Sequence, residues 1–373
     1  MTSKTDHRSL LANARRIIVK VGSGVVCNAV NEFDRQHMLP LVRDMAGLVK
    51  EGRQVVLVSS GAVTLGAAEL GLHRARLGDA SVTRSCAATG QCRLMEAYAR
   101  AFRRHQLKVA QVLLTEDDFI ELPRYQALRQ TFEKLLKLGA VPVVNENDTV
   151  SNIWTDRAPV FRDNDRLGAL LLNKLDADAL LLLSNVDGLL HRAGSRNAQV
   201  IPLVTEITPE IRQLVSGISS MGRGGMAAKL DAAEIGMKAG GLVVIANGKT
   251  PKIVEKVFHG EEHGTVFLPG TRIAGKKRWL AFASAVRGEV TINANAKSAL
   301  TESHASLLIS GVTALEGNFA SGQVIAVKDA EGRSVGRGIA ACGSQQLAGL
   351  LKGEGALKGL LIRRENFLLE DVT

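Results

Sequence analysis

The stretch RIIVKVGSG, residues 16–24, places a lysine inside an apolar strand that runs into a glycine turn. Lys20 lies between two valines, and Gly22, Ser23 and Gly24 follow it. In one interpretation Lys20 points to solvent from a half-exposed strand, as side-chain alternation permits. In the other, the strand carries a cation to a loop whose backbone N–H groups hold a phosphate. The stretch by itself favours the first interpretation, because turn glycines after strands are common.

Short apolar runs of the same kind recur along the first 250 residues and alternate with amphipathic stretches. The predicted strands are 16–21, 54–60, 108–115, 141–145, 179–184 and 242–246. Between the first two, a helix is predicted that ends at Gly52 and has one apolar face, formed by Met38, Leu41, Val42, Met45, Leu48 and Val49. This alternation predicts an α/β fold with an open, mostly parallel sheet sandwiched by helices.

After Arg278 the sequence pattern changes to short β-type segments separated by Gly, Asn and Ser. The length of 373 residues also favours two domains. We therefore predict a first domain over 1–275, a linker over 276–284 and a small β-rich domain over 285–373.

Composition is that of a globular protein, with 46% hydrophobic and 23% charged residues. No apolar run approaches about 18 residues, and the N-terminus lacks the apolar centre of a signal peptide, so a cytoplasmic location is expected. The formal charge of +10 lies wholly before residue 285, since the remaining residues hold nine basic and nine acidic side chains. The charge therefore favours anionic small molecules for the first domain and disfavours RNA binding by the second.

Two phosphate-binding motifs are only partly matched by the sequence. The run GSGVVC (22–27) has Cys27 where a dinucleotide fingerprint needs its third glycine, and Gly248-Lys249-Thr250 lacks the first glycine of a P-loop. The four cysteines, Cys27, Cys86, Cys92 and Cys342, show no metal-type spacing and are predicted to be buried free thiols. The eight histidines are scattered, so histidine-driven catalysis is not indicated.

Polar clusters follow the predicted strands, at the edge where open α/β sheets bind ligands. They are VKVGS (19–23), SSGA (59–62), NEND (145–148), FRDND (161–165) and SNVDG (184–188), and the glycine-rich GRGGMAAK (222–229) enters a later helix. Each by itself is compatible with a turn or a helix cap. Six clusters aligned along one sheet edge favour a binding site.

With these motifs the sequence resembles the glutamate 5-kinases of the amino acid kinase family, in the long form that carries a C-terminal PUA domain. The resemblance covers nearly the whole chain, through IVKVGS, VSSGAVTLG, AATGQCRLMEAY, VPVVNENDTVS, DNDRLGALL, GGMAAKLDAA and KRWL. It implies an enzyme that uses MgATP to phosphorylate the 5-carboxylate of L-glutamate, giving L-glutamyl 5-phosphate in the first step of proline biosynthesis. A carboxylate is already ionised at neutral pH, so this chemistry needs no general base.

The resemblance also implies roles for individual residues. Lys20 and Lys229 would flank the transferred phosphoryl group, Asp165 would orient both lysines, and Asp163 would organise the site or hold magnesium. Ser60, Asp148 and Asn164 match the family's glutamate contacts, whereas Asn145 and Asn147 are interpreted as loop-shaping residues. The expected ATP contacts are Lys20, Gly22, Ser23, Ser184, Asn185, Gly222, Arg223, Gly224, Gly225, Met226 and Lys229.

Three positions depart from the family's usual pattern. Asn185 stands where relatives typically carry aspartate, Arg162 where they carry glycine, and Arg223 interrupts the run before Gly-Gly-Met. An arginine at either place could pair with ATP phosphates or face solvent. The departures bear on nucleotide affinity and leave the lysine pair intact.

Two other functions compete with the one implied by the resemblance. One is another carboxylate or carbamate kinase of the same superfamily, which NEND and the PUA-like tail argue against. The other is an RNA-binding or regulatory protein whose kinase site has decayed at the three departures. By resemblance we also expect a homo-oligomer, inhibition by L-proline and a glutamyl phosphate reductase as a possible partner, while RNA and membrane partners are not expected.

Overall fold

The computed structural model describes most of the chain. The described residues are 7–72, 79–115, 117–120, 122–150, 164–191, 193, 198–215, 225–270, 280, 286–353 and 359–370. Two compact units are formed, one by Met1–Asp118 with Ala127–Arg272 and the other by Phe119–Gln126 with Ile273–Thr373. The linker predicted over 276–284 lies almost wholly outside the described residues, so its bounds stay a prediction.

An eight-stranded sheet forms the centre of the first unit, in the order β3-β4-β2-β1-β5-β9-β10-β8. The strands of this unit are β1 (Arg16–Val21), β2 (Gln54–Ser59), β3 (Lys108–Leu114), β4 (Ala140–Glu146), β5 (Ala179–Ser184), β6 (Leu190–His191), β7 (Gln199–Val200), β8 (Leu203–Val204), β9 (Leu242–Asn247) and β10 (Thr265–Phe267). The strands from β3 to β9 in this order pair in parallel, whereas β10 runs antiparallel to β9. The predicted mostly parallel sheet is thereby confirmed.

Helices connect the strands of this sheet. They are α1 (His7–Ala12), α2 (Ser23–Val26), α3 (Arg35–Lys50), α4 (Ala62–Glu69), α5 (Ala80–Arg103), α6 (Asp117–Ile120), α7 (Leu122–Lys137), α8 (Asn164–Lys174), α9 (Pro209–Gln213), α10 (Met226–Lys238) and α11 (Ile253–Phe258). The predicted helix between β1 and β2 is α3, and the Gly52 N–H donates to the Val49 carbonyl with φ +86° at Gly52, so glycine ends the helix as expected. Among the described residues, no helix is long and apolar enough to span a membrane.

The two faces of the sheet separate Lys20 from its neighbours in β1. Ile17, Val19 and Val21 belong to a large apolar core with residues of α3, α5 and α11. Lys20 has the opposite parity and therefore lies on the other face, where its Cβ is within 3.7 Å of the position that a Cβ on Gly168 of α8 would take. Because both faces of β1 are covered, the solvent-exposed interpretation of Lys20 is wrong.

A close contact between α4 and α5 fixes the segments that follow β2. A Cβ on Gly66 of α4 would lie 1.8 Å from the Cys86 carbonyl oxygen, and one on Gly90 would lie 1.8 Å from that of Ala62. Only glycine allows the two backbones to approach so closely. The contact holds α5 against the chain that leaves β2 at the SSGA motif.

The second unit is rich in strands, as predicted. Its strands are β11 (Val286–Ile292), β12 (Leu307–Leu308), β13 (Val312–Gly317), β14 (Val324–Lys328), β15 (Ser334–Ile339), β16 (Leu360–Ile362) and β17 (Phe367–Leu369), with helices α12 (Ala294–Thr301) and α13 (Ser344–Leu351). Five strands form a sheet in the order β13-β11-β14-β15-β17, and β12 pairs with β16. This unit has an apolar core of its own, which includes Ile325 and Leu347.

Candidate active site

One buried carboxylate lies between two buried lysines at the end of the parallel sheet. Lys20 Nζ is 2.5 Å from Asp165 Oδ1, and Lys229 Nζ donates to Asp165 Oδ2 at 2.9 Å. Asp165 is fully buried, and the two lysines are only 5% and 6% exposed. The sequence separates these residues by more than 60 positions on each side, and the fold brings them into direct contact.

Each member of this cluster is carried by a different element. Lys20 projects from β1, Asp165 lies in the first turn of α8, and Lys229 lies in the first turns of α10. An acid suits the first turn of a helix because the unpaired N–H groups there carry partial positive charge. Gly168, one turn later in α8, faces Leu180 of β5, and a Cβ added there would lie 3.1 Å from the Leu180 side chain.

The electrostatics of the cluster keep Asp165 ionised. Burial by itself would raise the pKa of Asp165, but the charges of Lys20 and Lys229 and their hydrogen bonds outweigh it, so the pKa is lowered below its usual value. One carboxylate between two ammonium groups leaves a formal charge of +1 in a buried place. Such a cluster attracts an anionic group.

A second cluster, made of amides and a hydroxyl, lies at the ends of β2 and β4. Asn164 Nδ2 donates to the Ser59 carbonyl at 3.2 Å, to Ser60 Oγ at 3.0 Å and to Asn145 Oδ1 at 2.9 Å. Asn164 directly precedes Asp165, so the two clusters are joined at the start of α8. The structure thus brings together Ser60 and Asn164, two of the three residues predicted to bind glutamate.

The loops after β1 and β5 meet beside the lysine cluster. The Gly22 N–H donates to the Leu183 carbonyl at 3.0 Å, and the Asn185 side chain fills the space beside Gly24, 2.5 Å from where a Cβ would stand. Ser23 and Gly24 are exposed at the start of α2. Ser184 is half-buried, and its hydroxyl accepts from the Val186 N–H at 3.4 Å. Two of the predicted ATP-binding segments are therefore adjacent.

Comparison with known proteins identifies the family to which the chain belongs. The model of the amino acid kinase family matches residues 15–247, and that of the PUA domain matches residues 288–356. The chain belongs to the amino acid kinase family. Glutamate 5-kinase of Myxococcus xanthus is 42% identical over 351 residues, which cover 93% of this chain and 92% of the relative. Glutamate 5-kinase of Moorella thermoacetica is 41% identical over 91% of this chain and 89% of its own length.

A solved structure shows the same fold at much lower sequence identity. Carbamate kinase from Giardia lamblia bound to AMP-PNP aligns with a TM-score of 0.50 and 17% identity, over 69% of this chain and all of its own. At this identity the likeness extends to the amino acid kinase fold alone.

The other predicted site residues of this amino acid kinase either lie near the ends of β4 and α10 or fall outside the described residues. Asp148 is half-buried in the turn that follows β4, three residues after Asn145. Gly225 and Met226 are half-buried at the start of α10, one turn before Lys229. Asp163, Gly222, Arg223 and Gly224, together with the departure at Arg162, lie outside the described residues.

Helix α5 supplies two polar contacts that sequence reasoning missed. Gln91 Oε1 accepts from Asn145 Nδ2 at 2.9 Å, and the Tyr98 and Ser59 hydroxyls lie 2.7 Å apart. Both residues belong to the motif AATGQCRLMEAY, and both lie on the apolar face of α5 with Leu94. A glutamine on the buried face of a helix needs a partner, and that signal was available in the sequence.

The cysteines differ in part from expectation. Cys86 and Cys342 are buried free thiols as predicted, but Cys92 is exposed and Cys27 is only half-buried, so the prediction is wrong for these two. Cys92 lies on the exposed side of α5, next to the buried Gln91. Burial and the Asp34 charge raise the pKa of the Cys27 thiol to about 12, which disfavours a reactive thiolate beside the phosphate loop.

No group of three His, Cys, Asp or Glu side chains suited to a metal occurs in the part of the chain that the structure describes. Asp165 is engaged by both lysines and offers no free oxygen pair. Magnesium in phosphoryl-transfer enzymes binds mainly through substrate phosphates and one or two carboxylates. The described residues are compatible with that mode and provide no dedicated cage.

Proposed function

We propose that this amino acid kinase transfers the γ-phosphoryl group of ATP to the 5-carboxylate of L-glutamate, giving L-glutamyl 5-phosphate, the first step of proline biosynthesis. The observation that carries the proposal is the buried Lys20–Asp165–Lys229 cluster at the end of the parallel sheet. Glutamate 5-kinases similar over nearly the whole chain support the choice of substrate.

The reaction brings two anions together and moves charge from one to the other. The attacking carboxylate is ionised at neutral pH, so no base has to remove a proton. Lys20 and Lys229 stabilise the charge that develops on the transferred group and on the leaving oxygen, from opposite sides. Asp165 acts as a positioning residue that holds both ammonium groups in place before substrate arrives.

The glutamate site is formed by Ser60, Asp148 and Asn164. The substrate's α-ammonium needs acceptors, which Asp148 and Asn164 provide, while its carboxylates need donors such as the Ser60 hydroxyl. Asn164 links this site to the lysine cluster through its neighbour Asp165. The substrate would therefore lie with its 5-carboxylate toward the lysines.

The nucleotide site extends over the loops after β1 and β5 and the start of α10. Gly22, Ser23, Ser184 and Asn185 are adjacent in the structure, and Gly222–Met226 complete the proposed set. Magnesium, with Asp163 as its proposed protein ligand, neutralises phosphate charge when bound. Asn185 keeps hydrogen bonding where relatives carry an acid, so affinity for the nucleotide is expected to differ from theirs.

One experiment tests the function directly. The protein is incubated with MgATP, L-glutamate and hydroxylamine, which traps an acyl phosphate as the hydroxamate. We expect glutamyl hydroxamate to form with L-glutamate and not with aspartate or carbamate. Product from another acid but not from glutamate would contradict the proposal.

Further properties follow from the family and complete the proposal. We propose a homo-oligomer inhibited by L-proline, with a glutamyl phosphate reductase consuming the labile product and a cytoplasmic location. The domain bounds 1–275 and 285–373, and a structural or regulatory rather than RNA-binding role for the PUA domain, belong to the same proposal.

A further inference from the structure

Helix α5 reaches the proposed glutamate site through a chain of three side-chain amides. Gln91 Oε1 accepts from Asn145 Nδ2 at 2.9 Å, and Asn145 Oδ1 accepts from Asn164 Nδ2 at 2.9 Å. We name Gln91, Asn145 and Asn164 the amide relay. Gln91 is 8% exposed and Asn145 3%, so the hydrogen bond between them is shielded from water.

Two backbone groups fix the direction of every hydrogen bond in the relay. The Glu146 N–H, which can only donate, donates to Asn145 Oδ1 at 2.9 Å. Asn145 must therefore turn its NH₂ group toward Gln91, and Gln91 must present its oxygen. At the other end, the Ser59 carbonyl can only accept, and it accepts from Asn164 Nδ2.

The consequence for Asn164 is a fixed polarity toward the substrate. Its Nδ2 carries two hydrogens and already has three acceptors, namely the Ser59 carbonyl, Ser60 Oγ and Asn145 Oδ1. The amide oxygen is then the polar atom of Asn164 that is left for a ligand. An oxygen in this position suits a donor group, and an ammonium is a donor only.

We infer that Gln91 is a positioning residue that holds the amide relay so that Asn164 Oδ1 accepts from the α-ammonium of L-glutamate. The inference rests on the proposed function and adds a determinant of specificity outside the substrate contacts. Only the oxygen of Gln91 takes part, because Gln91 Nε2 is buried and has no hydrogen-bond partner among the described residues. A side chain at position 91 that keeps an acceptor should therefore preserve the relay.

The test compares Gln91→Leu, which has no acceptor, with Gln91→Glu, which keeps one. The matched control is Leu94→Val, which loosens packing in the next turn of α5 and removes no hydrogen-bonding group. For each variant one measures the KM for L-glutamate and for ATP, the melting temperature, and the inhibition constant of glutarate. Glutarate keeps both carboxylates of the substrate and lacks the α-ammonium.

We expect Gln91→Leu to raise the KM for L-glutamate roughly tenfold while the KM for ATP and the inhibition constant of glutarate change less than about twofold. Gln91→Glu should stay within about threefold of the wild type in all three constants. Equal weakening of glutamate and glutarate, an unchanged KM for glutamate, or equal loss in both Gln91 variants would overturn the inference. Failure of the wild type to form glutamyl hydroxamate would overturn the proposed function as well, so the two failures are distinguishable.

Discussion

Each unit of this protein holds a buried aspartate between two cations, and the two arrangements differ in what surrounds them. Asp165 contacts Lys20 and Lys229, whose side chains are 6% and 7% exposed. Asp329 contacts Lys297 at 2.8 Å and Arg333 at 3.0 Å, but these side chains are 39% and 67% exposed. In the first unit the cations are buried with the acid, and in the second they are open to water.

The backbone around the two acids explains the difference. Asp329 Oδ1 accepts from the N–H groups of Glu331 and Arg333 at 3.1 and 2.8 Å, so this acid shapes the turn between β14 and β15. The partners of Asp165 come from β1 and α10, far apart in sequence. Asp329 therefore shapes a turn and contacts one cation from that turn, Arg333, and one from α12, Lys297. Asp165 contacts two buried cations from separate elements and forms a charged site with them.

Replacement of the acid should separate the two arrangements most strongly. We expect Asp165→Asn to lower the free energy of unfolding by about 3–5 kcal/mol, because two buried lysines lose their shared partner, and to abolish turnover. Urea denaturation and the hydroxamate assay measure the two effects. The control is Asp329→Asn, which should lower the melting temperature and leave kcat unchanged.

A stable and active Asp165→Asn protein would mean that the lysines do not depend on this acid. Loss of turnover in Asp329→Asn would equally break the comparison, since it would give the second acid a part in the reaction.

Removal of one buried cation should affect the rate more than binding. We expect Lys229→Ala to lower kcat about 100- to 1000-fold with little change in the KM for glutamate, because the charge that Lys229 meets develops mainly in the transition state. Steady-state kinetics measure both constants, with Lys297→Ala of the second unit as the unaffected control. A loss confined to the KM for glutamate would assign Lys229 to substrate binding instead.

A third buried lysine among the described residues, Lys174 at the end of α8, extends the comparison to the pH dependence of stability. Burial and the nearby Arg129 lower the pKa of Lys174 to about 7, and Asp118 only partly opposes this. Between pH 7 and the ordinary lysine pKa of 10.5, the unfolded chain therefore binds more protons at Lys174 than the folded chain does. The contribution of Lys174 to the free energy of unfolding rises with pH over this range.

We expect the wild type to gain about 2 kcal/mol relative to Lys174→Met between pH 7 and pH 9. Urea denaturation of both proteins at the two pH values measures the difference. A constant difference would show that Lys174 keeps the same charge in both states.

Most of the sheet could be predicted from the sequence, because buried parallel strands are continuous β-branched runs. The six predicted strands agree with β1, β2, β3, β4, β5 and β9 to within one residue at each end. The motifs also predict Lys20 at a strand end, Lys229 in the first turns of a helix and Asp165 in a loop, whereas Asp165 lies in the first turn of α8. Their mutual contact was an implication of family resemblance, since no local pattern encodes a distance between residues so far apart in the chain.

The missed residues show where such reasoning stops. Gln91 and Tyr98 belong to the motif AATGQCRLMEAY, and helical periodicity assigns them to a core face without indicating which groups they contact there. The exposed position of Cys92 was missed for the related reason that residue type alone predicts burial only on average.

The sequence by itself determined the parallel sheet, the order of its polar strand ends and the family. The resemblance implied that Lys20 contacts Asp165, whereas the strand pattern by itself left Lys20 free to face solvent. The tertiary structure decided its burial, because alternation along β1 defines two faces and α8 covers the face that carries Lys20. The tertiary structure alone likewise set the direction of the amide relay. Hydrogen-bond polarity there depends on backbone groups of β2 and β4, which the fold brings to the side chains of α5 and α8.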